Sequence, residues 1–381
     1  MKTCIKGGTL YTVAQAHPFV GDVLIEGGKI IGVGEGLSGG ADEVIDASGK
    51  RVYPGLVDAH SHLGLDGHAV RFEGMDYNEL TDSLTPHLEA IDAFNPQDET
   101  IRMAAMGGVT TVGTGPGSSN VLGGTFIAVK TCGARVDDMV IKRKVAMKCA
   151  FGENPKFCYR EKDNASRMSV AAKLRTMLRK TGEYVKKMEA AGDDATKLPA
   201  YDEKLEALIP VLNGSIPLKA HAHRADDIFT AIRVAREMGV KITLEHCTDG
   251  HLIADYLARE GVYIAVGPSF SHATKYELRN ITFETPGILA KAGCHVSIIT
   301  DAPVVPQQYL AMCAGLAVKN GMDRFEALKA ITINPARHLG VEDRVGSIEA
   351  GKDADLIITD GDPFELDTQV LQVFINGIIV K

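Results

Sequence analysis

The sequence predicts an α/β protein: a (β/α)8 TIM-like barrel flanked by a small β domain made from both chain termini. Three observations predict it. Short β-branched runs alternate with helical patterns from about residue 52 to 338, both chain ends read as β-meander, and several central runs end in histidine or aspartate.

At the N-terminal end, Thr9-Leu10-Tyr11-Thr12-Val13 and Val23-Leu24-Ile25 lead to the pair Gly27-Gly28 and then Ile30-Ile31. Glycine pairs between apolar runs are tight-turn signals. The far end repeats the style, with Leu356-Ile357-Ile358 and then Asn376-Gly377 between two apolar runs, a strong hairpin signal. Residues 1–51 and 339–381 are therefore assigned to one small β domain, with 52–338 inserted between them.

Within the middle, strands are predicted at 55–60, 109–114, 145–151, 216–221, 241–246, 262–266 and 295–300. Between two of them Ile228, Ala231, Ile232 and Ala235 recur at helical spacing after a cap at Asp226 or Asp227, which makes a βα unit. Seven strands fall one short of a closed barrel. The remaining candidate, Thr125 to Thr131, follows its predecessor too closely to leave room for a helix. The stretch from about Asn164 to Leu212 is rich in Lys, Arg, Glu, Ala and Met and reads as one or two long amphipathic helices, an insertion expected to cover the barrel mouth.

Composition narrows the function. The 381 residues are 45% hydrophobic and 24% charged, with no apolar run of membrane-spanning length, so a soluble protein is expected. The 41 basic and 49 acidic residues give a net charge of -8 without a basic stripe, which argues against nucleic acid as a partner. The seven cysteines include no CxxC pair, and the first residues lack a secretory apolar core; reduced thiols and a cytoplasmic location are expected. Apolar positions in the terminal β domain fit a homo-oligomer.

The chemistry is written at the strand ends. Pro54-Gly55-Leu56-Val57-Asp58-Ala59-His60-Ser61-His62 ends an apolar run in two imidazoles placed two apart, so one face of a strand can offer both to one metal ion. Leu218-Lys219-Ala220-His221-Ala222-His223, Thr243-Leu244-Glu245-His246 and Ile298-Ile299-Thr300-Asp301 close three later strands in the same fashion. In a parallel barrel the C-terminal strand ends share one mouth, so these residues converge.

These motifs, with the tail Gly346-Ser347-Ile348-Glu349-Ala350-Gly351-Lys352-Asp353-Ala354-Asp355-Leu356, resemble the amidohydrolase superfamily near its imidazolonepropionase-like and metal-dependent dipeptidase branches. The resemblance spans nearly the whole chain. It implies a (β/α)8 barrel, a flanking β-sandwich from both termini, and one or two divalent ions, most simply Zn2+, that activate a water to cleave a C–N bond of a small molecule. His60, His62, His221, His246 and Asp301 match the family's ligand positions. His223 rivals His221 and is assigned as a catalytic substrate contact. The anionic bridge of a two-metal site is either Glu153, which directly follows a strand and is favoured, or a carboxylated Lys148, three residues deeper than the strand's end.

Asp301 is the expected general acid and base: it takes a proton from the attacking water and returns it to the leaving nitrogen. Deaminases of the superfamily usually carry a glutamate three residues after the fifth-strand histidine, and here that residue is Arg224, which favours amide hydrolysis. A scaffold that has lost catalysis would have shed its ligands, and these are retained. Lys156, Arg160 and Arg224 follow strand ends and are expected to bind a substrate carboxylate. The glycine-rich run from Gly113 to Gly124 lacks a Walker or Rossmann register and reads as tight turns.

Overall fold

The computed structural model describes residues 1–69, 71–162 and 165–381, so Asn164, the first residue of the expected insertion, lies outside the described residues. The N-terminal segment forms β1 (Lys2–Leu10), β2 (Phe19–Glu26), β3 (Lys29–Gly34), β4 (Glu43–Asp46) and β5 (Arg51–Pro54). The barrel strands are β6 (Leu56–Ser61), β7 (Val109–Thr114), β8 (Leu122–Lys130), β9 (Val140–Ala150), β10 (Leu218–Ala222), β11 (Ile242–His246), β12 (Tyr263–Val266) and β13 (His295–Ile298). The chain then returns through β14 (Leu356–Thr359), β15 (Val370–Ile375) and β16 (Ile378–Ile379).

Both termini share one sheet, in the order β16-β15-β14-β5-β1-β2-β3. It forks at β1, which pairs with β4 over its first half and with β5 at its end, across an irregularity between Ile5 and Gly8. Ile5, Val23, Ile25, Leu356, Ile358 and Phe374 fill its core. Asn376 and Gly377 take φ of 50° and 72°, the left-handed pair a two-residue hairpin turn requires, and they join β15 to β16.

The barrel sheet runs β6 to β13 in sequence order. Its strands are parallel except β8, which is antiparallel to both β7 and β9. This resolves the strand count: the segment after β7 does lack room for a crossover helix, and it joins the sheet by turning back instead. The seam between β6 and β13 is bridged by a side chain. Asp58 accepts hydrogen bonds from the Thr300 amide (3.0 Å), Thr300 Oγ1 (2.7 Å) and Gln307 Nε2 (2.6 Å).

Alternation along β10 sends Leu218, Ala220 and Ala222 outward and Lys219 and His221 inward. The outward residues share a core with Val170, Leu174, Met177 and Leu178 of the helix Arg167–Ala191 and Leu208 and Val211 of Glu203–Leu212. These helices therefore form the outer wall between β9 and β10 and do not cover the mouth. Their apolar face matches the outward rows of the sheet, and that burial decides their place. Ser166 caps the longer helix in a reciprocal box with Ser169, and Arg167 grips the buried Asp227 at 2.9 Å.

The two sheets are locked by a buried charge. Lys130, at the end of β8, places Nζ 2.6 Å from Asp355 and 3.0 Å from Asp353, and Asp353 also meets Lys29 (2.6 Å) and Arg344 (2.8 Å). The Asp353-Ala354-Asp355 tail motif thus has a structural task.

Candidate metal centre

The inward ends of β6, β9, β10 and β11 meet at the barrel mouth with Asp301, three residues past the end of β13. His60, His62 and Asp301 form one group whose candidate ligand atoms all lie within 4.8 Å of one another, and His221, His223 and His246 form a second. The His60 and His246 rings, with centroids 5.1 Å apart, join the two groups into one centre.

Backbone conformation delivers two of these side chains. Glu245 and His246 are adjacent on a strand and should face opposite ways, but His246 has φ of 72° and Asp301 φ of 51°. A non-glycine residue in the left-handed region is strained, and such strain collects at functional sites. Here it turns His246 and Asp301 into the mouth at the points where their strands end.

Four of the five rings are held by one nitrogen, leaving the other toward the centre. His60 Nδ1 lies 2.9 Å from Glu245, His62 Nδ1 2.7 Å from the Gly115 carbonyl, His246 Nδ1 2.8 Å from the Gly267 carbonyl, and His223 Nδ1 2.8 Å from Thr248 Oγ1. Where the partner is a carboxylate or carbonyl, which only accepts, Nδ1 carries the proton and Nε2 the lone pair: this holds for His60, whose Nε2 meets Lys148, and for His62 and His246. His221 is the exception: both of its nitrogens are buried without a hydrogen-bond partner. Burial holds His60, His221 and His223 well below the usual imidazole range, so they stay neutral donors.

Lys148 stands among them, and Glu153 does not. On β9 Met147 and Cys149 face the outer core while Lys148 points inward, fully buried, with Nζ 3.0 Å from His60 Nε2. Burial brings its ammonium down to about 8. Glu153 lies beyond the turn at Gly152 (φ 85°) and opens the short helix Glu153–Cys158, where its amide donates to Glu277 Oε2 at 2.9 Å. Of the two residues expected as an anionic bridge, inward alternation along β9 brings Lys148 to the histidines, while Glu153 is in neither group of candidate ligands among the described residues.

Donor chemistry tests whether a metal fits. Neutral imidazoles with a carboxylate suit Zn2+ and its neighbours in the first transition row. A buried imidazole with neither nitrogen satisfied is costly, and a bound ion would relieve it at one nitrogen. The residues present fit a divalent metal: His60, His62 and Asp301 on one side, His221 and His246 on the other, and Lys148 between.

The cations expected to bind substrate stand apart from this cluster. Arg160 stacks on Phe157 (4.3 Å) and pairs with Glu161 (3.6 Å), Arg224 pairs with Asp226 (2.8 Å) at the start of the next helix, and Lys156 is exposed. Unforeseen from sequence, Glu277 is fully buried in the loop after β12, with Oε1 3.9 Å from His221 Nε2, 3.8 Å from His223 Nε2 and 2.7 Å from Lys275 Nζ. No periodicity marks a loop residue, so no sequence signal pointed to it.

The glycine-rich run is shaped by close approach. A Cβ on Gly115, whose carbonyl holds His62, would lie 2.3 Å from the Phe126 ring, and one on Gly124 (φ 114°) would lie 2.3 Å from the Leu88 carbonyl.

Residues 51–380 match the model of the amidohydrolase family, and the chain belongs to that family. Over its full length it is similar to the crystal structure of an amidohydrolase from Thermotoga maritima MSB8, with 41% identity, 99% of that chain covered and a TM-score of 0.96. Among curated proteins it is 28% identical to the amidohydrolase tasK of Hapsidospora irregularis over 94% of this chain and 40% of that protein. It is 25% identical to an imidazolonepropionase of Sphingopyxis alaskensis, over 91% of this chain and 88% of the relative. The chain thus spans less than half the length of tasK. It is an enzyme of this family, and among the described residues no helix is long and apolar enough to cross a membrane.

Proposed function

We propose that this enzyme cleaves a C–N bond of an amide or cyclic amide in a small molecule, at a centre holding two divalent ions through His60, His62, Lys148, His221, His246 and Asp301. The observation that carries the reading is the convergence of these six side chains, with three of their imidazole rings, His60, His62 and His246, already anchored through Nδ1 and His221 left without a partner. Zn2+ suits the donor set best. When bound, such ions polarise a carbonyl and make a nucleophilic water available near neutral pH.

The chain's own residues supply the rest. The neutral amine of Lys148 could add to CO2, forming an N–C bond and losing one proton, and the carbamate so formed would supply the anionic ligand that a lysine lacks. Asp301, with Oδ1 3.3 Å from His62 Nε2 and 3.6 Å from His60 Nε2, would take the proton of an attacking water and return it to the leaving nitrogen; its position among the histidines supports that role. His223, fixed by Thr248, is left to contact the substrate.

A substrate carboxylate would be met by Lys156, Arg160 or Arg224, whose pairings with Glu161 (Arg160) and Asp226 (Arg224) are surface ion pairs that a substrate can displace. Free thiols at all seven cysteines fit a reducing, cytoplasmic setting. Val20, Val44 and Ile378, exposed on the terminal sheet, fit self-association. The test is a screen of N-acyl amino acids, dipeptides and cyclic ureides with added Zn2+ or Mn2+: metal-dependent hydrolysis of one class is expected, and release of ammonia from aminopurines alone would replace amide hydrolysis by deamination.

A further inference from the structure

Directly beneath the histidines lies a polar cluster that the proposed reaction leaves unused. Glu245, on β11 and fully buried, has Oε2 2.9 Å from His60 Nδ1 and 2.9 Å from Lys219 Nζ; its Oε1 is 2.9 Å from Thr243 Oγ1 and 2.9 Å from His338 Nε2. Four neighbours that can donate saturate one carboxylate. Lys219, equally buried on β10, is also 3.2 Å from His338 Nε2 and lies 5.2 Å over the Phe126 ring. An ion pair so deep in a barrel gains little stability over apolar residues of the same shape, so its presence asks for another reason.

The reason is visible in how the other rings are held. His62 and His246 rest on neutral backbone carbonyls and His223 on a hydroxyl, whereas His60 alone among these rings rests on a carboxylate. A carboxylate only accepts, so the proton must sit on His60 Nδ1 and the lone pair on Nε2, the atom 3.0 Å from Lys148 Nζ. Negative charge behind an imidazole also raises its basicity as a ligand. We infer that Glu245 is a positioning residue: it fixes the tautomer and aim of His60 and makes it the strongest imidazole donor of the centre, with Lys219 present to balance its charge. This rests on the metal reading above.

The alternative is that Glu245 is merely the counter-ion of Lys219, and a charge-balanced replacement separates the two. Removing Glu245 alone strands a buried ammonium and would unfold the barrel under either account. In Lys219→Met/Glu245→Leu both charges leave together and only the neutral partners Thr243, His338 and His60 lose an acceptor, so the metal-free protein should still fold, with a lowered melting temperature. Zn2+ affinity, read by competition with a chromogenic chelator, should fall roughly 10- to 100-fold, and the visible spectrum of the Co2+ form should change. Unaltered affinity and spectrum in the folded double variant would overturn the inference. Should that variant fail to fold, Lys219→Met/Glu245→Gln keeps the shape; a severalfold loss of Zn2+ affinity supports the inference, and none overturns it. If the unaltered protein itself binds neither ion, the metal reading fails, a result distinct from any difference between variants.

Discussion

Replacing Lys148 by methionine should stabilise the metal-free protein while damaging the centre. Lys148 is fully buried, and burial brings its ammonium from an ordinary 10.5 to about 8. At 1.36 kcal/mol per pH unit, that difference makes the charged lysine a liability of roughly 3 kcal/mol to the fold. The sign follows from proton counting. Between pH 8 and 10.5 the unfolded chain holds the proton that the folded chain has released, so stability rises with pH there; below about 8 the full penalty applies. Methionine fills similar space without a charge, and the lost contact to His60 Nε2 at 3.0 Å gives back about 1 kcal/mol. The metal-free Lys148→Met variant should therefore exceed the unaltered protein by about 2 kcal/mol at pH 7, with the gap closing by pH 10. Urea denaturation after exhaustive chelation measures both. A variant less stable at pH 7, or a gap that does not shrink with pH, would refute the reasoning. A residue kept at such a cost to the fold is kept for function.

Three further outcomes follow from the same geometry. Asp301→Asn should bind metal and lose turnover by a factor of about 100 or more, the usual scale of general acid and base catalysis, and undiminished turnover would remove Asp301 from that role. Lys130→Met leaves Asp355 without its ion-pair partner inside the protein and should cost about 3–5 kcal/mol in calorimetric stability; a loss below about 1 kcal/mol would show that the two sheets are not locked by this charge. Gly115→Ala forces a Cβ against Phe126, which should cost about 1–3 kcal/mol and weaken Zn2+ binding through the displaced carbonyl behind His62; unchanged Zn2+ affinity would show that this carbonyl is not what holds the ring.

The barrel and its mouth were legible because strand periodicity and strand-end histidines are local signals, and the histidines of β6, β10 and β11 and Asp301 converge where β13 ends. The eighth strand was hidden by an assumption of topology: β8 joins antiparallel, so the missing helix was never needed. The position of Lys148 is legible too, since counting inward positions back along β9 points it at the histidines, as its contact with His60 shows. Glu245 and Lys219 carried a signal of the same kind, since a charged residue two before His221 and another just before His246 in buried strands must find partners inside. Glu277 carried none, because it comes to the site on a loop. The amphipathic helices are legible in the sequence but their place is not: an apolar face says that a helix packs, and the outward rows of β10 say where.

The central claim is that one cluster of side chains at the barrel mouth holds two divalent ions, and metal stoichiometry tests it most directly. Chelated protein should be reloaded with Zn2+ in the presence of bicarbonate, freed of loose ions and analysed by mass spectrometry for metal per chain. Two equivalents are predicted for the unaltered protein and at most one for Lys148→Met, with Zn2+ at a thousand times its Kd raising stability by about 4 kcal/mol. No bound ion and no stability change on chelation would contradict the account.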